Sequence, residues 1–221
     1  DRRIEDAHLQ LGLMAEEDHH PDAAITHYRA IREGRNFVPA TTRLVHLLAQ
    51  QDRLPLARVY LHQLRAERPA LAVPLYRVEA ELLIDEGDYD SANQILGESL
   101  AAHPDNVDLL YARSMVSEKK RDMAAIEADL RAILTLDADN SAALNALGYT
   151  LSNLTQRYDE AHDLIQRALQ LSPQNPAIID SFGWVLYRQG RHREAVTQLR
   201  AALAMASDAE IAAHLGEVLW V

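Results

Sequence analysis

The 221-residue chain contains no cysteine. Disulfides, thiolate metal sites and cysteine nucleophiles are therefore excluded, and the composition suits cytoplasm and periplasm alike. Lysine is almost missing as well. Only Lys119 and Lys120 carry an amine side chain, and every other side-chain cation is a scattered arginine. The formal net charge of −11 argues against nucleic acid as the chain's main partner, since phosphate binding needs clustered Lys and Arg and the arginines are scattered along the sequence. Aromatic residues make up only 5% and glycine only 8 positions, so neither a glycine-rich phosphate loop nor an aromatic-rich β-protein is expected. There is no HExxH motif. No apolar run approaches a membrane span, and no signal peptide is present. His19, His20 and His27 read as solvated turn and helix-face histidines rather than metal ligands. The acidic pairs Glu16-Glu17 and Asp159-Glu160 read as helix-end charges that complement the macrodipole. The expectation is a chain without catalytic residues, metal or cofactor.

What the chain does contain is one phrase written more than once. Leu147-Gly148 recurs as Phe182-Gly183 and again as Leu215-Gly216, at steps of 35 and 33 for the glycines. Ala161 recurs as Ala195 and Ala168 as Ala202, each at a step of 34. A fixed period in this range marks stacked supersecondary units, each contacting its neighbours. Small residues at fixed places let two helices approach closely, and larger apolar residues fill the flanking gaps.

Earlier parts of the chain hold the same places more loosely. Leu11-Gly12, Ala24 and Tyr28 fit the first unit, and Leu44, Ala57 and Leu61 the second. Val45, Glu79 and Ser114 stand where glycine is expected. The spacing predicts helix pairs over residues 6–37, 38–69, 72–104, 107–140, 141–173 and 176–208, then a first helix of a seventh pair over 209–221. That makes thirteen helices in one all-α solenoid. Asp22 is expected to cap the second helix beside Pro21, Asn106 to cap the seventh, and Asn175-Pro176 to open the eleventh. The chain begins at Asp1-Arg2-Arg3 without Met and stops inside a repeat, so it reads as a fragment of a longer protein.

Leu147, Gly148, Ala161, Ile165, Ala168 and Pro173 match, in order, the preferred residues of the tetratricopeptide repeat, which this chain resembles over nearly its whole length. The resemblance implies an all-α, right-handed superhelical solenoid used as a protein-binding scaffold. It also implies that the first helix of each pair lines a concave surface. Residues facing inward at those places are Tyr76, Tyr111, Met115, Asn145, Tyr149, Asn153, Asp180, Trp184, Tyr187 and Arg188, followed by Glu217 and Trp220. Rings with polar tips bury area at low entropy cost, and Asn can pair with an extended backbone through donor and acceptor. Protein- or peptide-binding is therefore expected there. Tyr28, Tyr89, Tyr158 and Phe182 instead fall at places shared with the core. A lysine-and-asparagine clamp for a C-terminal carboxylate is not expected, because the two lysines are adjacent and the inward places carry Asp180 and Glu217.

The phrases from Ala143 to Val196 and from Glu210 to Trp220 resemble, more narrowly, the repeat region of large bacterial outer-membrane lipoproteins of this family. That group includes adaptors of periplasmic carboxyl-terminal processing proteases. The resemblance implies docking and activating such a protease and delivering cell-wall hydrolases to it, with membrane attachment through an upstream lipid anchor. Two other roles suit a repeat chain: the non-catalytic arm of an enzyme such as a glycosyltransferase, and an assembly scaffold of a secretion or pilus system.

Overall fold

A computed structural model describes residues 2–220; Asp1 and Val221, at the edges of the expected first and last elements, lie outside the described residues. Thirteen α-helices and no strand occur among the described residues. They divide into two compact units, Asp1–Pro104 and Asp105–Val221. The first unit holds α1 (Arg2–Glu17), α2 (Pro21–Ala30), α3 (Phe37–Gln50), α4 (Leu54–Glu67), α5 (Ala72–Asp85) and α6 (Tyr89–Ala102). A single 3-10 turn, Pro69–Leu71, precedes α5. The second unit holds α7 (Val107–Lys119), α8 (Met123–Leu136), α9 (Ser141–Leu154), α10 (Tyr158–Leu171), α11 (Pro176–Arg188), α12 (His192–Met205) and α13 (Ala209–Trp220).

Helix starts follow from local chemistry. Asp88, Asn106, Asp122, Asn140 and Asn175 each accept a backbone N–H of the first turn that follows them, at 3.0–3.1 Å. Such caps are worth about 1 kcal/mol each. Pro21, Pro55 and Pro176 sit in first turns, where a missing N–H costs little. One expected cap is corrected. Pro21 occupies the first turn, so His20 takes the cap position and makes no side-chain cap. Asp22 lies inside the helix and instead accepts from Gln51 Nε2 at 3.2 Å.

The turn inside the helix pairs uses a left-handed residue at a recurring place: His19, Asp52, Gly87, Arg121 and Gly190 all have φ between 55° and 78°. A residue with a Cβ is strained there, yet three of these five places are not glycine. The α9–α10 turn is built differently, with Thr155 extended and its hydroxyl bonded to the Leu151 carbonyl.

Close helix crossings explain the glycines. A Cβ on Gly148 would lie 2.5 Å from Ile165 Cγ1 and 2.9 Å from the Ala161 carbonyl. On Gly183 it would meet Leu199 Cγ at 2.7 Å. On Gly12 it would strike the ring of Tyr28, a buried residue whose hydroxyl donates to Glu16. Where the repeat lacks glycine the solution changes. Val45 is fully buried. Glu79 is buried too, and it accepts from Arg58 Nε at 2.9 Å and Arg65 Nη1 at 2.5 Å. In the second unit Asp129 is buried against Arg113, which grips it with two hydrogen bonds of 2.9 and 2.6 Å.

Candidate protein-binding site

In the second unit, α9, α11 and α13 pack side by side, while α10 and α12 pack behind them. The expected inward places of three successive first helices are thereby brought together. Tyr111, Met115, Asn145, Tyr149 and Asp180 line one cavity of about 230 Å³. Glu118 and Glu210 complete its charged wall, and no cation lines it. A second cavity of about 280 Å³ shares Glu118 and Tyr149 and adds the exposed Asn153 with Lys119 and Arg121.

Tyr149 stands at the junction. Its hydroxyl donates to Glu210 Oε1 at 3.2 Å and lies 3.5 Å from His214 Nε2. Burial pushes that hydroxyl well above the usual tyrosine range, and the Glu210 carboxylate adds to the shift. Tyr111 is pushed up in the same direction, by burial and then by Glu118. Beneath them His214 Nδ1 donates to Asp180 Oδ2 at 2.9 Å. Burial lowers the His214 pKa, but the bond to Asp180 and the charges of Asp180, Glu210 and Glu217 outweigh it, so its pKa lies above the usual histidine value.

Acceptors are left over. Asp180 is only 6% exposed, and its Oδ1 has no hydrogen-bond partner; the buried Oδ1 of Asn145 has none either. A buried acceptor without a donor costs about 1–3 kcal/mol. Both residues line the same cavity; the two oxygens themselves are covered, so a ligand donor reaches them only as the lining shifts.

Other expected site residues lie elsewhere. Trp184 is buried and stacks on His214, with centroids 4.4 Å apart. It forms a floor under α13 rather than an open ring. Tyr187 tilts against Trp184 at 5.3 Å and directs its hydroxyl to Glu217 at 3.4 Å. Arg188 turns away from Tyr149 and donates to the Tyr158 hydroxyl at 2.9 Å, on a separate open cavity beside Arg157 and Arg191. Tyr76 belongs to the first unit, where the Arg65 guanidinium lies 4.3 Å over its ring. Trp220 is 91% exposed. His27 pairs with His8, whose Nδ1 is 3.1 Å away.

Glu118, Glu210 and His214 were not selected from sequence. A signal existed. In α9, α11 and α13 the residue two before the glycine is Ala146, Ser181 or His214, and the residue six before it is Ala142, Ala177 or Glu210. Ala146, Ser181, Ala177 and Glu210 all line the cavity. The small side chains of α9 and α11 hide these two columns, and of these three helices only α13 fills them with titratable groups.

Models of the tetratricopeptide repeat match residues 77–141 and 154–217. A TPR repeat-containing protein of Pseudomonas aeruginosa is 44% identical over 214 residues, 97% of this chain and 36% of the relative. The chain thus spans about a third of the length of that relative. A tetratricopeptide repeat protein from Parabacteroides merdae superposes with a TM-score of 0.70 at 13% identity, covering 98% of this chain and 86% of its own. YrrB, described as a TPR protein with an unusual peptide-binding site, superposes with a TM-score of 0.58 at 20% identity, covering 88% and 98%. At these identities the two structures share a fold with the chain and no more.

Proposed function

We propose that the chain, a tetratricopeptide-repeat protein, is a non-catalytic scaffold that binds protein or peptide partners and seats a partner segment over Tyr111, Asn145, Tyr149 and Asp180. One observation carries this reading: two buried acceptors without donors meet two amphipathic rings in a single cavity. Rings supply contact area and the acceptors supply direction. Glu118 and Glu210 favour a segment rich in donors, such as a lysine or arginine side chain flanked by free backbone N–H groups.

The narrower role rests on the resemblance of its phrases to outer-membrane lipoproteins. It is that of an adaptor at the periplasmic face of the outer membrane, held by a lipid anchor upstream. It docks and activates a carboxyl-terminal processing protease and presents cell-wall hydrolases to it. Asn153, Trp184 and Tyr187 frame and support the surface on which the partner lies.

Two measurements test this. Labelled lysine-containing peptides are titrated against the chain and its Tyr149→Ala variant. Binding weaker by about 1–3 kcal/mol, with helicity unchanged, is expected for an aromatic anchor. Equal affinity moves the site off this cavity. Separately, a purified processing protease is assayed with the full-length protein. A gain in its activity supports the adaptor role, and neither binding nor gain removes it.

A further inference from the structure

The first unit holds a cavity of opposite character. It measures about 410 Å³, and Arg29, Arg32 and Arg68 converge on it around Phe37 and Tyr60. Arg29 Cζ lies 5.6 Å from the Tyr60 centroid, and Arg68 Cζ lies 4.4 Å from that of Phe37. These rings hold the two guanidinium groups by their faces and leave N–H edges for a ligand. None of the three arginines has a carboxylate within ion-pair distance among the described residues. Glu67 is the one carboxylate on the wall. Burial pushes the Tyr60 hydroxyl up; the charges of Arg29, Arg32 and Arg68 pull it back, and Glu67 adds to the rise.

We propose that this cavity binds a carboxylate of an acidic partner peptide, with an apolar residue beside that carboxylate resting on Leu56 and Val59. Three like charges share the wall with a single carboxylate, Glu67, and a further oxyanion offsets the excess while accepting paired N–H donors. Leu56 and Val59 are 41% and 53% exposed on the rim. A bare inorganic anion would leave that apolar surface unused. An anionic membrane would meet a chain of net charge −11, which repels it at long range. A short peptide carries far less charge than a membrane surface, so the local attraction of the three arginines outweighs the chain's overall repulsion, and its apolar residue covers the rim.

The test uses the whole chain and a fluorescein-labelled peptide of alternating Glu and Leu, with its Gln-and-Leu counterpart as control, read by anisotropy. The acidic peptide is expected to bind at least about tenfold more tightly, as loss of charge-assisted bonds implies. Arg32→Gln is expected to weaken it about tenfold. Arg32 has no hydrogen bond or ion pair among the described residues, so that variant removes charge without removing a structural contact. Arg29→Gln should act in the same direction, while Tyr149→Ala leaves this affinity unchanged, which separates the two sites. Equal binding of the two peptides overturns the proposal. So does full affinity in Arg32→Gln with helicity intact. Displacement of the peptide by inorganic phosphate at about its own concentration, or arginine-dependent capture by phosphatidylglycerol vesicles, would reassign the cavity to phosphate.

Discussion

The two units solve the same packing problem with different chemistry. In the second, Gly148 and Gly183 let helices touch backbone to side chain with nothing polar between them. In the first, Gly12 does the same against Tyr28, but Val45 and Glu79 occupy the equivalent places of the next two pairs, and the Glu79 crossing is filled by two guanidinium groups. Their cavities differ in the same sense: acceptors without donors in the second unit, three arginines against one carboxylate in the first. A repeat thus fixes where helices lie and leaves the sign of each surface to the residues that the period does not specify.

That contrast can be broken by substitution. The largest effect is expected at Trp184→Ala, which removes a buried ring stacked on His214 and should cost about 3–5 kcal/mol of stability. A loss of partner affinity with full stability would instead make Trp184 an open anchor. Glu79→Ala comes next. Arg65 would keep a side chain only 9% exposed with no carboxylate on it, at a cost of about 3 kcal/mol; an unchanged melting temperature would mean that the arginines re-pair in water. Gly148→Leu should cost about 1–3 kcal/mol by overpacking against Ile165 and Ala161. Gly216→Ala is the control, because a Cβ there meets nothing within 4 Å, and its unfolding curve should lie within about 0.5 kcal/mol of the parent.

A smaller effect follows from His214. Its folded pKa lies above 6.5, the usual histidine value. The stability it contributes is therefore complete below that value and is lost as pH rises through the raised one. Tyr149, Asp180, Glu210 and Glu217 are the titratable groups that face it. Melting temperatures of the parent and His214→Gln should differ most below the usual histidine value and converge as pH rises through the raised one. A constant gap would assign its role to packing alone.

How much of this was legible in sequence depends on register. Tyr111, Asn145 and Tyr149 were found because a step near 34 residues puts them on one side of successive first helices, and the structure places them in one cavity. Arg188 was chosen by the same spacing, but it lies at the last residue of α11 and is captured by Tyr158 of the preceding helix. Glu79 was visible as a departure from glycine. Its partners were not, because Arg58 and Arg65 come from α4, where nothing in the repeat pattern requires arginine. The three arginines of the first unit's cavity were read as scattered, since they sit near helix ends in two different pairs. Asp22 failed as a cap for a local reason, the preceding proline.

Scarcity of lysine has a practical corollary. Lys119 is exposed on the rim of the cavity that also carries Tyr149 and Asn153, and Lys120 is its neighbour. Amine-reactive cross-linkers would find side-chain targets at this one spot, while arginines elsewhere stay silent. The chain therefore carries its own spatially confined reporter. A cross-link recovered at Lys119 by mass spectrometry would localise a partner to within one tether length of Tyr149, without any engineered label.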